Sequence, residues 1–590
     1  MRSVAARVWL VALLALPMLV AQWGLPVPRL DADAVEYFSH VRSLYFDHDL
    51  DFANEFTHFG ILTRGDKRQP TVTGHRRTIF SVGPALLWMP FYAVGDLVAR
   101  AEGRVEDGYS PAHIRSVTLG SLAYGVAGLL LVASLLLSVV PPAIAALTVL
   151  ALGYGTFLYW YMVHEAAMSH ALSFFMAAVV LRVWWPSRTR LSLGRALALG
   201  LCIGLAATVR WQNGVLLLLP AASCLRSLRH ELGSTLRAGA ATIAAFVVGA
   251  SPQMLAWKAI FGAYLLADPP HGRDFLRLDH PYLLQTFFSS RHGLLYWTPL
   301  LWAGFLGYVL LLRRDRFVAL ATGVPLALMS YVNVCSGDWW AGGSFSNRRF
   351  DSVLPFLALG MAMVFEWLAR HVARRPLVPL GAAALALTLW NGLFMEQYRR
   401  NLIPRDDTVS FAGVAENNAT LLSGFVGTPV AWPANIVFSL QHRAPITKYD
   451  LAVGQYLFYR QNNLGGVIDL GNERGDPGLL LEGWARPIAC GGDARCRTIE
   501  GAARLLVPLD VPEDLVATVR ARGPGSLAFQ VNGRDLVSWP LEEDAFVERR
   551  VSLPREGLVR ELNELRLTAT PGPVVIDRIA FERVGQRGRR

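Results

Sequence analysis

The chain has 590 residues, of which 53% are apolar and only 17% are charged, and its mean hydropathy is +0.34. A soluble protein of this length needs more polar surface, and several apolar runs approach the roughly 20 residues that span a bilayer. The net charge of +11 does not indicate nucleic-acid binding, because the cations cluster in short segments between apolar runs. We therefore predict a polytopic α-helical membrane protein.

In chain order, the apolar runs predict about 11 spans within residues 1–395, starting from a cytoplasmic N-terminus. They are residues 8–25, 114–138, 142–162, 168–185, 196–209, 212–225, 238–262, 294–312, 317–334, 351–369 and 377–395. A cleaved signal peptide is the alternative interpretation of the first run. The basic clusters then share one face, which the positive-inside rule makes cytoplasmic. The run 81–100 is predicted instead as a helix lying at the outer interface.

The apolar pattern stops after residue 396, and two further regions are predicted outside the membrane. Residues 396–469 are mixed and form an extracytoplasmic linker region. Residues 470–590 show alternating apolar and polar positions with an Asn532-Gly533 turn, which predicts a β-sandwich. Cys490 and Cys496 are close enough in sequence for a disulfide in an oxidising compartment. This sandwich is expected either to bind carbohydrate or to act as a structural cap.

The first outer loop, DADAVEYFSHVRSLYFDHDLDF, is unusually rich in carboxylates and aromatic rings. Asp47, Asp49 and Asp51 have the spacing of turn and cap residues. Asp33 is closer to the membrane and precedes a predicted helix, so it is our candidate for a catalytic base, with Tyr37 beside it.

Other polar residues gather at the predicted outer ends of spans. Ionisable groups at membrane depth are costly and usually mark function. Each has a structural alternative: a packing histidine, a snorkelling arginine, or tryptophans that anchor the interface. These residues are His164, Glu165, His170, Arg210, Arg291, His292, Asp338, Trp339, Trp340, Arg348 and Arg349.

These residue types suit one chemistry. Arginines near the outer leaflet hold a lipid-linked phosphate, a carboxylate takes a proton from an acceptor hydroxyl, and aromatic side chains stack on sugar rings. A base and cations are enough for this reaction without a cofactor, and a divalent cation at the site is the alternative.

The ensemble resembles the GT-C membrane glycosyltransferases, which include protein O-mannosyltransferases and bacterial aminoarabinose transferases. The resemblance covers roughly residues 1–400, and many bacterial members also carry a β-sandwich tail. The matching positions are Asp33, Tyr37 and Arg42-Ser43-Leu44, then Gly83-Pro84-Ala85-Leu86, Arg115-Ser116 and Arg210. Where the family has an Asp-Glu pair this chain has Asp33-Ala34, so Asp31 and Glu36 stay as alternative bases.

The resemblance implies transfer of a sugar, with inversion, from a polyprenyl-phosphate donor to a hydroxyl of a glycan, lipid or protein at the outer face of a bacterial inner membrane. The implied catalytic residues are Asp33, Glu36 and Glu165; the phosphate-binding residues are Arg210, Arg115 and Arg348; and the sugar and acceptor residues are Tyr37, His164, His170, Arg291, His292, Asp338, Trp339 and Trp340. The alternatives are a transporter or flippase of lipid-linked glycans, which needs polar residues at the helix centres, and a non-catalytic glycan-binding membrane protein.

Overall fold

The computed structural model describes most of the chain. The described residues are 4–28, 30–62, 69–104, 107–228, 230–266, 275–371, 377–427, 429–453, 455–458, 466–470, 478–485, 487–491 and 494–584. The chain divides into two compact units, residues 1–418 and 419–590. The division falls inside the region 396–469, which the sequence predicts as a linker.

The first unit is helical. Its helices are α1 (Val4–Gly24), α2 (Ala32–Arg42), α3 (Ala53–His58), α4 (Gly83–Ala101), α5 (Pro111–Leu136), α6 (Pro142–Gly155), α7 (Leu158–Val163), α8 (His170–Trp184), α9 (Leu193–Val209), α10 (Leu218–Ser227), α11 (Leu232–Phe261), α12 (Leu283–Phe288), α13 (Leu294–Trp297), α14 (Leu301–Arg314), α15 (Arg316–Val334), α16 (Leu354–His371) and α17 (Leu377–Arg399). Short 3₁₀ segments at Trp211–Leu217 and Arg348–Val353 precede α10 and α16. Helix α18 (Phe411–Val426) follows α17 and crosses the division between the units.

Among the described residues, five helices are long and apolar enough to cross a membrane: α5, α11, α15, α17 and the segment Arg348–His371 that contains α16. The apolar helices at Val8–Gly24, Pro142–Gly155 and Leu193–Val209 are shorter. Together with the hydropathy of the whole chain, these helices define a polytopic integral membrane protein.

Two predicted spans are interrupted. The span predicted at 142–162 breaks at Thr156, whose backbone is extended (φ −126°, ψ 169°) and whose hydroxyl donates to the Leu152 carbonyl at 2.6 Å. The span predicted at 294–312 breaks after Trp297, because Pro299 disfavours a helical conformation of the residue before it, Thr298. The sequence prediction of single continuous helices was wrong at both places.

The basic segments that the sequence assigns to one face also meet in the structure. At the ends of α14 and α16, Arg314 and Arg370 both form ion pairs with Glu366. Between the segments that flank α9 to α11, Arg190 pairs with Glu231 at 2.8 Å. These contacts agree with the predicted common face for the basic clusters.

The second unit contains a β-sandwich, preceded by the helices α19 (Trp432–His442) and α20 (Tyr449–Ala452). The strands are β1 (Val467–Asp469), β2 (Ile488–Gly491), β3 (Ala494–Ile499), β4 (Ala502–Leu509), β5 (Leu515–Arg522), β6 (Ser526–Val531), β7 (Arg534–Pro540), β8 (Val547–Leu553), β9 (Glu561–Thr570) and β10 (Val574–Arg583). One sheet has the order β2-β3-β10-β5-β8, with β1 also paired to β10, and the other has the order β4-β9-β6-β7.

The local predictions for this unit are confirmed. Asn532 (φ 47°) and Gly533 (φ 79°) form the two-residue turn between β6 and β7, where the right-handed twist of the strands requires positive φ. Cys490 and Cys496 are joined by a disulfide. Side chains from both sheets share one apolar core, which makes the unit a sandwich.

Candidate functional site

A polar cleft of about 180 Å³ lies at the predicted outer ends of the helices. Its walls come from α2, the start of α8, the turn after α9, the end of α15 and the 3₁₀ segment before α16. The predicted residues that line it are Asp33, Tyr37, His170, Arg210, Asp338, Arg348 and Arg349. Residues separated by more than 300 positions in the chain therefore converge on one cleft.

The candidate base and a candidate phosphate ligand are in direct contact. Arg348 Nη2 lies 2.8 Å from Asp33 Oδ2, and the two side chains are 16% and 28% exposed. Asp33 lies in the first turn of α2, where a negative charge is favourable to the helix dipole. The pair is accessible from the cleft and is not sealed inside the protein.

Arg349 forms a second arginine–aspartate pair in the cleft. Its Nη2 lies 2.6 Å from both carboxylate oxygens of Asp338, and its Nη1 donates to the Asp338 carbonyl at 2.7 Å. Gln212 and Asn333 donate to the carbonyl of Arg349 at 3.1 and 2.9 Å. These bonds fix the backbone from which Arg348 and Arg349 project.

Asp351 is not among the described residues that line the cleft, but it contacts two that are, and the sequence did not single it out. Its side chain is fully buried, and its Oδ2 lies 2.7 Å from His170 Nδ1 and 3.2 Å from Arg210 Nη1. Ser173 Oγ donates to the other carboxylate oxygen at 3.0 Å. Arg210 Nη1 also lies 3.1 Å from His170 Nδ1, so Asp351 orients both residues. An acid at the start of an apolar span was the available signal.

Tyr37 lies against the same cleft. Its hydroxyl accepts a hydrogen bond from Ser169 Oγ at 2.9 Å, and its ring is 4.5 Å from the ring of Phe80. Burial raises the pKa of the Tyr37 hydroxyl to about 12, although the charge of Arg210 acts in the opposite direction. The phenol is therefore neutral at physiological pH and is available as a hydrogen-bond donor.

The other candidate bases proposed from the sequence, Asp31, Glu36 and Glu165, lie outside the described lining of the cleft. Glu36 is buried, and its Oε2 accepts a hydrogen bond from Thr78 Oγ1 at 2.9 Å. Glu165 Oε1 lies 3.7 Å from Arg405 Nη1. Burial raises the pKa of the Glu165 carboxyl, and Arg348 acts against that shift. The charge of Arg348 therefore acts on Glu165, although Glu165 is not among the described residues that line the cleft.

Arg115 and His164 line a separate small cavity with Trp23. The Arg115 guanidinium lies over the Trp23 ring, 5.2 Å from its centroid, and Nη2 donates to the Leu25 carbonyl at 3.3 Å. The three arginines predicted to bind phosphate are therefore not together in the described part of the chain. Arg210 and Arg348 line the cleft, whereas Arg115 lines the separate cavity.

The remaining predicted residues form an aromatic group beside Asp338. Trp339 and Trp340 pack edge to face, with ring centroids 5.7 Å apart. Arg291 lies 4.0 Å from the centroid of Trp340, and His292 Nδ1 lies 3.0 Å from the Trp340 carbonyl. Neither tryptophan is among the described residues that line the cleft, although the chain enters this group directly from Asp338.

Two other carboxylates of the first outer loop, Asp47 and Asp49, have the local structural roles that their spacing predicts. Asp47 pairs with Arg42 and accepts from Asn54 Nδ2 at 2.7 Å. Asp49 Oδ1 accepts from Ser43 Oγ at 2.7 Å and from the backbone N–H of Asp51 at 3.1 Å. These groups hold the loop in place, whereas Asp33 faces the cleft.

Metal binding has little support within the described ranges. The one group of three candidate ligands that those residues form is Cys490, Cys496 and Asp577, and the two sulfurs are bonded to each other. The two aspartates that line the cleft, Asp33 and Asp338, and the buried Asp351 behind it each contact an arginine.

No protein-family model matches the chain, and no curated protein matches it. Among solved structures, the chain is similar to the arabinosyltransferase EmbB from Mycobacterium smegmatis, with 10% identity and a TM-score of 0.38 over 100% of this chain and 66% of that one. It is also similar to ArnT from Cupriavidus metallidurans, solved bound to undecaprenyl phosphate, with 14% identity and a TM-score of 0.40 over 70% and 75% of the two chains. A third similarity is to the oligosaccharyltransferase of Archaeoglobus fulgidus, with 12% identity and a TM-score of 0.35 over 70% of this chain and 54% of that one.

The chain thus spans less than two thirds of the length of EmbB. Because every TM-score is below 0.5, the function proposed below rests on the residues of the cleft.

Proposed function

We propose that the protein is a membrane glycosyltransferase that moves a sugar from a polyprenyl-phosphate donor to an acceptor hydroxyl at the outer face of a bacterial inner membrane. One observation carries this proposal. Asp33, Arg210 and Arg348, which are distant in sequence, line one cleft at the predicted outer ends of the helices. A carboxylate base and two fixed cations are the minimum that this transfer requires.

The proposed step is a single displacement. The acceptor oxygen forms a bond to the anomeric carbon while the bond from that carbon to the phosphate oxygen breaks. Asp33 takes the proton of the acceptor hydroxyl, and the leaving polyprenyl phosphate keeps the electron pair of the broken bond. Because one nucleophile attacks opposite the leaving group, the configuration inverts.

Arg348 and Arg210 have different parts in holding the phosphate. Arg210 lies 3.2 Å from the fully buried Asp351, so its position is set before the donor arrives. Arg348 contacts Asp33, which is partly exposed and can move. When the donor phosphate binds Arg348, it replaces Asp33 as the counterion, and the Asp33 carboxylate becomes free to act as the base.

The sugar and the acceptor are proposed to bind on the sides of the cleft that carry Tyr37 and Asp338. Neutral Tyr37 donates a hydrogen bond to a sugar oxygen, and Asp338 accepts one from a sugar hydroxyl. Trp339 and Trp340 extend this wall with indole faces. The acceptor, whether a glycan, a lipid or a protein, is proposed to bind against this wall.

The test is sugar release from a panel of radiolabelled polyprenyl-phosphate sugars by the purified full-length protein, beside Asp33→Asn. Undecaprenyl-phosphate sugars are the first probes. We expect turnover by the parent and its loss in Asp33→Asn. The matched control is Asp31→Asn, because Asp31 is exposed and its side chain caps no backbone group of α2.

Three outcomes change the proposal. If Asp33→Asn is active and Asp31→Asn is not, Asp31 is the base. If both variants are active, the base is Glu36 or Glu165. If the parent neither binds nor turns over any donor, the proposed transferase is wrong, and a transporter or a glycan-binding membrane protein is favoured.

A further inference from the structure

Helix α19 of the second unit exposes an apolar face. Its large exposed side chains are Trp432 (42%), Ile436 (47%), Val437 (53%) and Leu440 (76%). At 100° per residue these positions fall within one half of the helix circumference. The sequence of α19 contains no Asp, Glu, Lys or Arg.

The opposite face of α19 attaches the helix to its own unit. Asn435 and Phe438 are buried, and the ring of Phe438 lies 4.8 Å from that of His442 and 5.7 Å from that of Tyr449. Phe438 belongs to the same apolar core as the two sheets. The helix is thus held by one face, and the exposed apolar face contributes nothing to that core.

The chain around α19 has the same character. From Thr408 to Gln441, Glu416 is the one residue of the Asp, Glu, Lys and Arg types in the sequence. Within the second unit, the stretch before α19 exposes Leu422, Phe425 and Val430, the last at 92%. A patch this apolar on a soluble surface normally marks a binding site.

The position of the segment in the chain identifies what covers this face. The candidate span α17 ends at Arg399, and the first half of α18 packs back against it, since Gln397 Nε2 donates to Asn418 Oδ1 at 2.6 Å and Asn418 Nδ2 donates to the Trp390 carbonyl at 3.4 Å. Trp432, the first residue of α19, follows Asn418 by only 14 positions. A segment tethered so closely to a span stays near the bilayer surface. Tryptophan is enriched at the boundary between lipid headgroups and acyl chains, and amphipathic helices lie in that plane.

We propose that the exposed face of α19, together with Val430, inserts into the headgroup region of the membrane and anchors the second unit to the lipid surface. This interface is independent of the proposed transferase chemistry. The partner is the bilayer itself, recognised through apolar area and the Trp432 indole and not through charge.

The experiment places a fluorescent label at Leu440→Cys in the full-length protein, reconstituted in vesicles with a large excess of phosphatidylcholine and phosphatidylglycerol. Cys202, Cys224 and Cys335 are replaced by serine or alanine, since they are the free cysteines. The label is an environment-sensitive dye, quenched either by doxyl groups on lipid chains or by aqueous iodide. Val537→Cys is the matched control, because Val537 is a 40% exposed valine on β7 of the same unit.

We expect doxyl lipid to quench the Leu440 label at least threefold more than the Val537 label, and iodide to show the reverse order. Ile436→Cys should repeat the Leu440 result from one turn earlier. Equal iodide quenching at Leu440 and Val537 would show a hydrated face and overturn the proposal. Protection from both quenchers, with energy transfer between copies that rises with protein density, would identify a second copy as the partner and also overturn it.

Discussion

If Arg348 exchanges Asp33 for a donor phosphate, Asp33→Asn should bind polyprenyl phosphate more tightly while losing transfer. The carboxylate and the phosphate compete for the same guanidinium, whose Nη2 lies 2.8 Å from Asp33 Oδ2. Asparagine keeps the shape of the side chain but removes the charge. A loss of activity together with a gain in affinity would be unusual for a catalytic residue that only holds its substrate.

The size of the gain follows from the environment of the pair. Exposed ion pairs contribute about 0.2–1 kcal/mol, and breaking a buried pair costs about 3–5 kcal/mol. With side chains 28% and 16% exposed, the Asp33–Arg348 pair lies between these limits. A competition of about 1–2 kcal/mol corresponds to a five- to thirtyfold lower Kd for Asp33→Asn.

The assay is a double-mutant cycle on binding of undecaprenyl phosphate to the detergent-solubilised full-length protein. The four proteins are the parent, Asp33→Asn, Arg348→Gln and the double variant. Undecaprenol, which has no phosphate, reports the affinity of the lipid chain alone. Asp31→Asn controls for the removal of one negative charge near the cleft.

The double-mutant cycle distinguishes two effects of Asp33: competition with the phosphate for Arg348, and direct electrostatic repulsion of the phosphate. Competition requires Arg348, so Asp33→Asn should have no effect on affinity in the Arg348→Gln background. If the gain persists there, or if Asp33→Asn binds no more tightly than the parent, the exchange is refuted. If the parent binds neither undecaprenyl phosphate nor any other polyprenyl phosphate of the donor panel, the transferase proposal itself is refuted.

Three further substitutions test the fold around the cleft. Asp351→Asn should lower the free energy of unfolding by about 3 kcal/mol, because a neutral amide cannot compensate Arg210, whose side chain is only 15% exposed, and an unchanged melting temperature in detergent would contradict this. Gly360→Ala should lower the melting temperature strongly, because the added Cβ would lie 1.8 Å from the Gly304 carbonyl, whereas Gly381→Ala, with nothing within 4 Å, should not. Burial raises the pKa of the Glu55 carboxyl from 4.5 to about 7, so the folded state holds this proton more tightly than the unfolded state. The protonated Glu55 carboxyl therefore stabilises the fold below pH 4.5, and this contribution is lost as the pH rises to 7. Glu55→Gln lacks this titration, so its melting temperature relative to that of the parent should increase between pH 4.5 and pH 7.

The sequence by itself determined the features that depend on local composition and spacing. Long apolar runs can only be satisfied inside a bilayer as helices, because their backbone groups must bond within the segment. The sequence also predicted the Asn532-Gly533 turn and a disulfide between Cys490 and Cys496, because each depends on a few neighbouring residues. The choice of Asp33 as the base stays a prediction, drawn from its position at a membrane boundary and from the resemblance to the GT-C glycosyltransferases.

Only the tertiary structure decided which polar residues share a cleft. From the sequence, Arg115 and Arg210 were both candidates for binding the donor phosphate. Helix packing places Arg115 beside Trp23 and Arg210 beside Asp351. Asp351 lies at the start of an apolar span, but its burial against Arg210 and His170 is decided by the fold and not by its neighbours in the sequence. Partners more than 100 positions apart are set by how helices pack, and no local pattern of residues records that packing.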